Sequence, residues 1–109
     1  MKVVADFCLI PLGVGTSLTK YVAIVQQTLQ ASSHIKYLMH SCGTNIEGEW
    51  DHVMEAIKSC HTSLHTRHAV PRIHTTVRIG TRIDKDSSIQ EKIDRVKSEL
   101  QSSSSSSSS

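Results

Sequence analysis

Val3-Val4-Ala5-Asp6-Phe7-Cys8-Leu9-Ile10-Pro11 decides the fold. The run is apolar and partly β-branched, and Pro11 with Gly13 ends it, so it predicts a buried strand. Alternation sends Val3, Ala5, Phe7 and Leu9 to one face and Val4, Cys8 and Ile10 to the other. Both faces are apolar, with Asp6 the only charge. An antiparallel strand with one wet face carries polar residues on that side. The second face is therefore expected to be covered by another subunit.

Outward from this strand, Gly13-Val14-Gly15-Thr16-Ser17 reads as a turn with Ser17 as helix cap. Leu18, Tyr21, Val22, Val25 and Leu29 come next at helical spacing, ended by Ala31-Ser32-Ser33. Ile35 to Ser41 predicts a second strand, Gly43 a bend and Asn45 to Glu47 a short third strand. Gly48 is expected to open a second helix. Trp50, Val53, Met54, Ile57 and Leu64 form its core stripe, and it runs to about His68, before Pro71. Arg72 to Arg82 alternates: Ile73, Thr75, Val77 and Ile79 point one way, His74, Thr76, Arg78, Gly80 and Arg82 the other. Ser88 with Glu91 is a capping-box signature, leading into the stripe Ile89, Ile93, Val96 and Leu100.

The order β-α-β-β-α-β plus a helix predicts an α+β protein. Its architecture is a ferredoxin-like split β-α-β sandwich with an extra C-terminal helix. Residues 1–101 form the domain. Ser102 to Ser109 is an unbroken serine run with nothing to bury, expected to be a disordered tail.

Bulk properties narrow the function. The chain has 109 residues, 38% of them hydrophobic and 4% aromatic, with a net charge of +2. Its basic residues are scattered, which argues against nucleic acid. No run reaches the ~20 apolar residues that span a membrane. Asp6 comes too early for a signal peptide. Cys8, Cys42 and Cys60 are odd in number and form no C-x-x-C pair, so reduced thiols and a cytoplasmic location are expected.

Chemistry-bearing residues gather in His40-Ser41-Cys42-Gly43-Thr44-Asn45-Ile46-Glu47-Gly48-Glu49-Trp50. Gly43 and Gly48 permit close backbone approach. Glu47 can accept paired hydrogen bonds from an aminopyrimidine edge; equally, it can cap the second helix or pair with an Arg of the neighbouring strand. Arg78 and Arg82 share a strand face about 13 Å apart along the backbone. They can converge on an anion, or pair with Glu47, Asp6 or a neighbouring subunit. His61, His65 and His68 read as a solvated helix face, since no H-E-x-x-H pattern or fourth ligand accompanies them. Cys42 beside His40 lacks a third orienting group, and no nucleophile elbow or P-loop is present. Lys92 reads as a solvated charge. The expectation is a binding protein, not an enzyme, with no cofactor and no metal.

The segment His40 to Gly48, then Trp50-Asp51, Arg72-Ile73-His74-Thr75, Arg78-Ile79-Gly80-Thr81-Arg82 and Asp84-Lys85, resembles the small thiamine-binding protein family (YkoF-like). Ile10-Pro11-Leu12-Gly13 fits too, and the resemblance runs from about Val3 to Leu100. It implies a ferredoxin-like fold that dimerises through its sheets, often into a homotetramer, without enzymatic activity. It implies thiamine or its hydroxymethylpyrimidine part as ligand, held by Ser41, Gly43, Thr44, Glu47, Arg78 and Arg82. Cys42 stands where a small residue such as Ala is usual, and Asn45 where Thr is common. Glu47 would engage the aminopyrimidine edge, Ser41 and Thr44 would add hydrogen bonds, and the two Arg would orient Glu47 or hold an anionic group. The alternative is a structural or regulatory homo-oligomer whose interface binds small anions such as sulfate.

Overall fold

The computed structural model describes residues 1–85 and 88–107. In chain order the elements are β1 (Lys2–Leu12), α1 (Thr19–Ala31), β2 (Ile35–His40), β3 (Gly43–Glu49), α2 (Trp50–Arg67), β4 (Arg72–Thr81) and α3 (Ile89–Ser107). The four strands form one antiparallel sheet in the order β2-β3-β1-β4. This is the ferredoxin-like split sandwich with its added helix.

β1 lies inside the sheet, between β3 and β4. Val3, Ala5 and Phe7, with Ile46 of β3, face α1 and α2 and are buried. They meet Ile24, Val25 and Leu29 of α1 and Val53, Ala56, Ile57, Cys60 and Leu64 of α2. Each fully buried Leu or Val contributes about 1.5–3 kcal/mol. Burial pushes the Cys60 thiol up to about 12, so it is a packing residue rather than a nucleophile.

The ends of α2 are set by backbone chemistry. The Val70 amide donates to Leu64 O at 3.1 Å, with Ala69 in the left-handed region at φ 53°. This wrap satisfies a terminal carbonyl, and Pro71 forbids a further turn. His65 Nδ1 lies 2.7 Å from Val70 O; a carbonyl only accepts, so Nδ1 donates. His61 Nε2 lies 2.6 Å from Thr75 Oγ1 on β4. His65 and His68 are exposed, as the solvated-face reading expects, whereas His61 is partly buried; the His61 and His65 rings fasten α2 to the stretch between Val70 and Thr75. Burial, and then the neighbouring His65, lower the His61 pKa.

Other expectations shift locally. Ser17 does not cap α1; Leu18 occupies the cap position without a side-chain bond. Trp50 is half exposed, because it sits at the first residue of α2 rather than inside its core stripe. Gly48 belongs to β3, not to the start of α2. Its φ is 155°, and a Cβ there would meet His34 O at 2.9 Å, so the α1–β2 loop passes too close for any side chain.

α3 begins where the Glu91 amide donates to Ser88 Oγ at 3.1 Å, the Ser half of the expected capping box. Its backbone continues to Ser107, past the boundary expected at residue 101. A nucleated helix propagates at small cost through serine, which has middling helix propensity. Ser108 and Ser109 lie outside the described residues. Along α3, Ile89 and Ile93 are partly buried, whereas Val96 and Leu100 are 60% and 64% exposed.

The sheet's second face carries Val4, Asp6 and Cys8 of β1. Beside them stand Asn45 and Glu47 of β3, Leu38 of β2 and Arg78 and Gly80 of β4, placed there by the pairing register. Neither α1 nor α2 covers this face.

Candidate functional site

The residues singled out in the sequence divide between the two faces of the sheet. Thr44 pairs with Phe7 and faces the helices, whereas Glu47 pairs with Val4 and faces the other way. Two cavities gather most of them, and Glu47 borders a third.

The first cavity has a volume of about 340 Å³ and lies where the β2–β3 hairpin meets the N-terminal half of α1. Phe7, Leu18, Val22 and Val25 give it apolar walls, and Ser41, Gly43 and Thr44 lie along its polar side. Gly43 is required here, since a Cβ would stand 2.6 Å from Phe7 O and 3.3 Å from the His40 ring. Thr44 is only 3% exposed, and Gln26 Nε2 donates to its Oγ1 at 2.9 Å.

His40 closes the turn end of this cavity. Its Nδ1 accepts from the Cys42 amide at 3.2 Å, so the ring proton of the neutral imidazole lies on Nε2. Nε2 stands 3.3 Å from Asp6 Oδ2. Asp6 also receives Arg78 Nε at 2.9 Å and Nη2 at 2.7 Å. The Arg78 hydrogen bonds hold the Asp6 carboxyl below its usual range, against the opposing effect of burial. Cys42 is exposed, with its Sγ 3.8 Å from Ser41 Oγ. The hairpin therefore has an ordered turn with no base directed at a nucleophile.

The second cavity, about 460 Å³, lies on the face that α1 and α2 leave open. Asp6, Asn45, Arg78, Arg82 and Lys92 line it. Arg82 Nε donates to Asp84 Oδ1 at 2.6 Å, and the pair holds Asp84 down at about 2. The two guanidinium groups are thus each paired within the chain, neither of them with Glu47. Lys92, read from sequence as a solvated charge, borders the cavity because α3 passes over this end of the sheet.

Glu47 lines neither of these cavities; with Lys2, His34, Lys36 and Gly48 it borders a third, of about 320 Å³. It is 6% exposed, and its Oε2 accepts from the Ile89 amide at 3.1 Å. It caps a helix, but that helix is α3 and not the second helix that the sequence suggested. A carboxylate at a helix N-terminus satisfies an otherwise unpaired N–H and meets the positive end of the helix dipole. The structure therefore brings Ser41, Gly43 and Thr44 together, brings Arg78 and Arg82 together, and leaves Glu47 apart.

Sequence reasoning missed Gln26 and the joining role of Asp6. Gln26 had a legible signal: it stands four residues after Val22 and three before Leu29, on the core-facing stripe of α1. A groove of about 660 Å³ between the outer sides of α1 and α2 is lined by His68 but by none of Ser41, Gly43, Thr44, Glu47, Arg78 and Arg82. Among the described residues, no three His, Cys, Asp or Glu side chains are grouped to hold a metal, and no helix is long and apolar enough to cross a membrane.

Comparison with known proteins adds to this geometry. A family model described as thiamine-binding protein matches residues 5–97. The UPF0045 protein sll0230 of Synechocystis sp. is 46% identical over 103 residues, covering 94% of this chain and 84% of its own length. The crystal structure of MJ1052 from Methanocaldococcus jannaschii matches with a TM-score of 0.78 at 32% identity, over 87% of this chain and 95% of that one. A Thermotoga maritima protein, assigned by proposal to thiamine biosynthesis or salvage, matches with a TM-score of 0.73 at 20% identity, over 88% and 99% of the two chains. At that identity the likeness speaks for the fold alone.

Proposed function

The chain belongs to the thiamine-binding protein family, and from that premise we propose that it reversibly binds thiamine or the hydroxymethylpyrimidine part of thiamine and catalyses no reaction. The observation that carries this reading is the cavity of about 340 Å³ at the hairpin, apolar on its walls and polar along Ser41, Gly43 and Thr44. Its size and lining suit a flat heteroaromatic ring held by a few directed hydrogen bonds. The expected role is transport, buffering or sensing in the cytoplasm.

A thermal melt with thiamine, hydroxymethylpyrimidine and sulfate in separate samples tests the reading. Ligand at ~100 times its dissociation constant adds about 2.7 kcal/mol, equivalent to a rise of roughly 4–8 °C for each kcal/mol in a domain near this size. Stabilisation by thiamine or the pyrimidine, and not by sulfate, is the expected result. No shift with either overturns the reading.

A second reading is favoured by one specific observation: Arg78, Arg82 and Lys92 line one cavity on the sheet face that α1 and α2 leave open. On this reading the chain is a homodimer or homotetramer whose interface holds a small anion. Leu38, 53% exposed on that face, would be buried by the partner. Light scattering on Leu38→Asp should then report a smaller assembly than the wild type. A wild-type monomer at micromolar concentration rejects this second reading.

A further inference from the structure

We propose that Gln26 and Thr44 together determine ligand specificity, reading a ring nitrogen and its adjacent amino group as one acceptor–donor edge. This deepens the proposed binding at the hairpin cavity and rests on it.

Thr44 Oγ1 accepts from Gln26 Nε2 at 2.9 Å. A threonine hydroxyl that accepts can still donate its own proton, and that proton has no acceptor among the described residues. Gln26 Nε2 is engaged by Thr44, and its Oε1 has no hydrogen-bond donor among the described residues. Both side chains line the same cavity. The pair therefore offers one free donor and one free acceptor side by side.

Their surroundings give the pair its selectivity. Phe7, Leu18, Val22 and Val25 flank it, and apolar walls penalise any ligand polar group left unmatched. Both members are neutral, so the pair imposes no buried charge. A ring nitrogen accepts from the Thr44 hydroxyl while its neighbouring amino group donates to Gln26 Oε1. With the Gln26 amide oriented as it is here, its Nε2 on Thr44 Oγ1, an oxo counterpart of the same ring reverses both polarities and meets a donor with a donor and an acceptor with an acceptor. The role that the family resemblance implies for Glu47 thus passes to Gln26, which the fold places on the cavity side of the sheet.

The test is calorimetric titration of the full chain with three probes. These are aminated hydroxymethylpyrimidine, the same ring lacking its amino group, and its oxo counterpart. One directed hydrogen bond between neutral groups makes the aminated ring the tighter ligand by about tenfold. Gln26→Met should erase that preference while leaving the affinity for the amino-less ring unchanged. Thr44→Val should weaken all rings that carry the acceptor nitrogen, and Thr44→Ser should restore them; this pair carries the test should Gln26→Met not fold. A preference that persists in Gln26→Met, or equal binding of the amino and oxo rings by the wild type, overturns the proposal while leaving ligand binding intact. Wild-type binding of none of the three overturns the proposed function and this inference together.

Discussion

Arg78 and Asp6 stand directly opposite each other in the β1–β4 register, and Arg78 donates to both carboxylate oxygens of Asp6, at 2.9 and 2.7 Å. The pair is a cross-strand contact on the open face of the sheet. It joins the two cavities, because Asp6 also faces His40 Nε2 at 3.3 Å.

This contact should make stability depend on pH. The folded-state pKa of Asp6 is depressed, chiefly by the Arg78 hydrogen bonds. Its stabilisation is therefore present above the unfolded carboxylate pKa of about 3.9 and is lost as pH falls through the folded value. Asp6→Asn should lower the urea midpoint at pH 7, with the gap to wild type closing in strong acid. Arg78 is 81% exposed, so solvent screening keeps the effect modest. A gap that stays constant in strong acid would show that the charge contributes nothing.

A second prediction lies in the core. Leu64 is fully buried on α2 against the sheet. Leu64→Ala removes apolar contacts and leaves a space that close-packed neighbours fill incompletely. The expected loss is about 2–5 kcal/mol, read as a lower midpoint in denaturant with an unchanged slope. A loss below ~1 kcal/mol would mean that the α2 face collapses around the gap far more readily than a packed core allows.

Most of the architecture is legible in the sequence, because periodicity is a local property. The apolar run from Val3 to Pro11 marks β1 as a buried strand, and the alternation of Arg72 to Arg82 marks β4. Ser88 announces the start of α3. The boundary at Gly48 escapes such a reading because its demand for glycine comes from a non-local contact, the passing carbonyl of His34. The candidate site is less legible for a related reason. Thr44 and Glu47 are three residues apart, so one strand carries them to opposite faces. That arithmetic is available from sequence, whereas the partners of each, Gln26 and Ile89, are set by tertiary packing.

A third prediction separates capping from ligand binding at Glu47. Its Oε2 accepts from the Ile89 amide at 3.1 Å, on the face opposite Thr44. α3 packs sparsely on the sheet, with Val96 and Leu100 largely exposed, so its local stability depends on how its first turn is held. Glu47→Ala removes one of two caps, the Ser88 hydroxyl being the other. Loss of a cap costs about 0.5–2 kcal/mol, which appears as faster amide exchange at Ile89 and along the first turns of α3. Exchange in β1 and α2 should be nearly unchanged, because their protection comes from the core on the other face. The affinity for the pyrimidine should change no more than it does in Lys58→Ala, a substitution on the outer side of α2. If Glu47→Ala instead abolishes binding while α3 exchange stays slow, the carboxylate belongs to the ligand and the assignment of the polar edge to Gln26 and Thr44 is wrong.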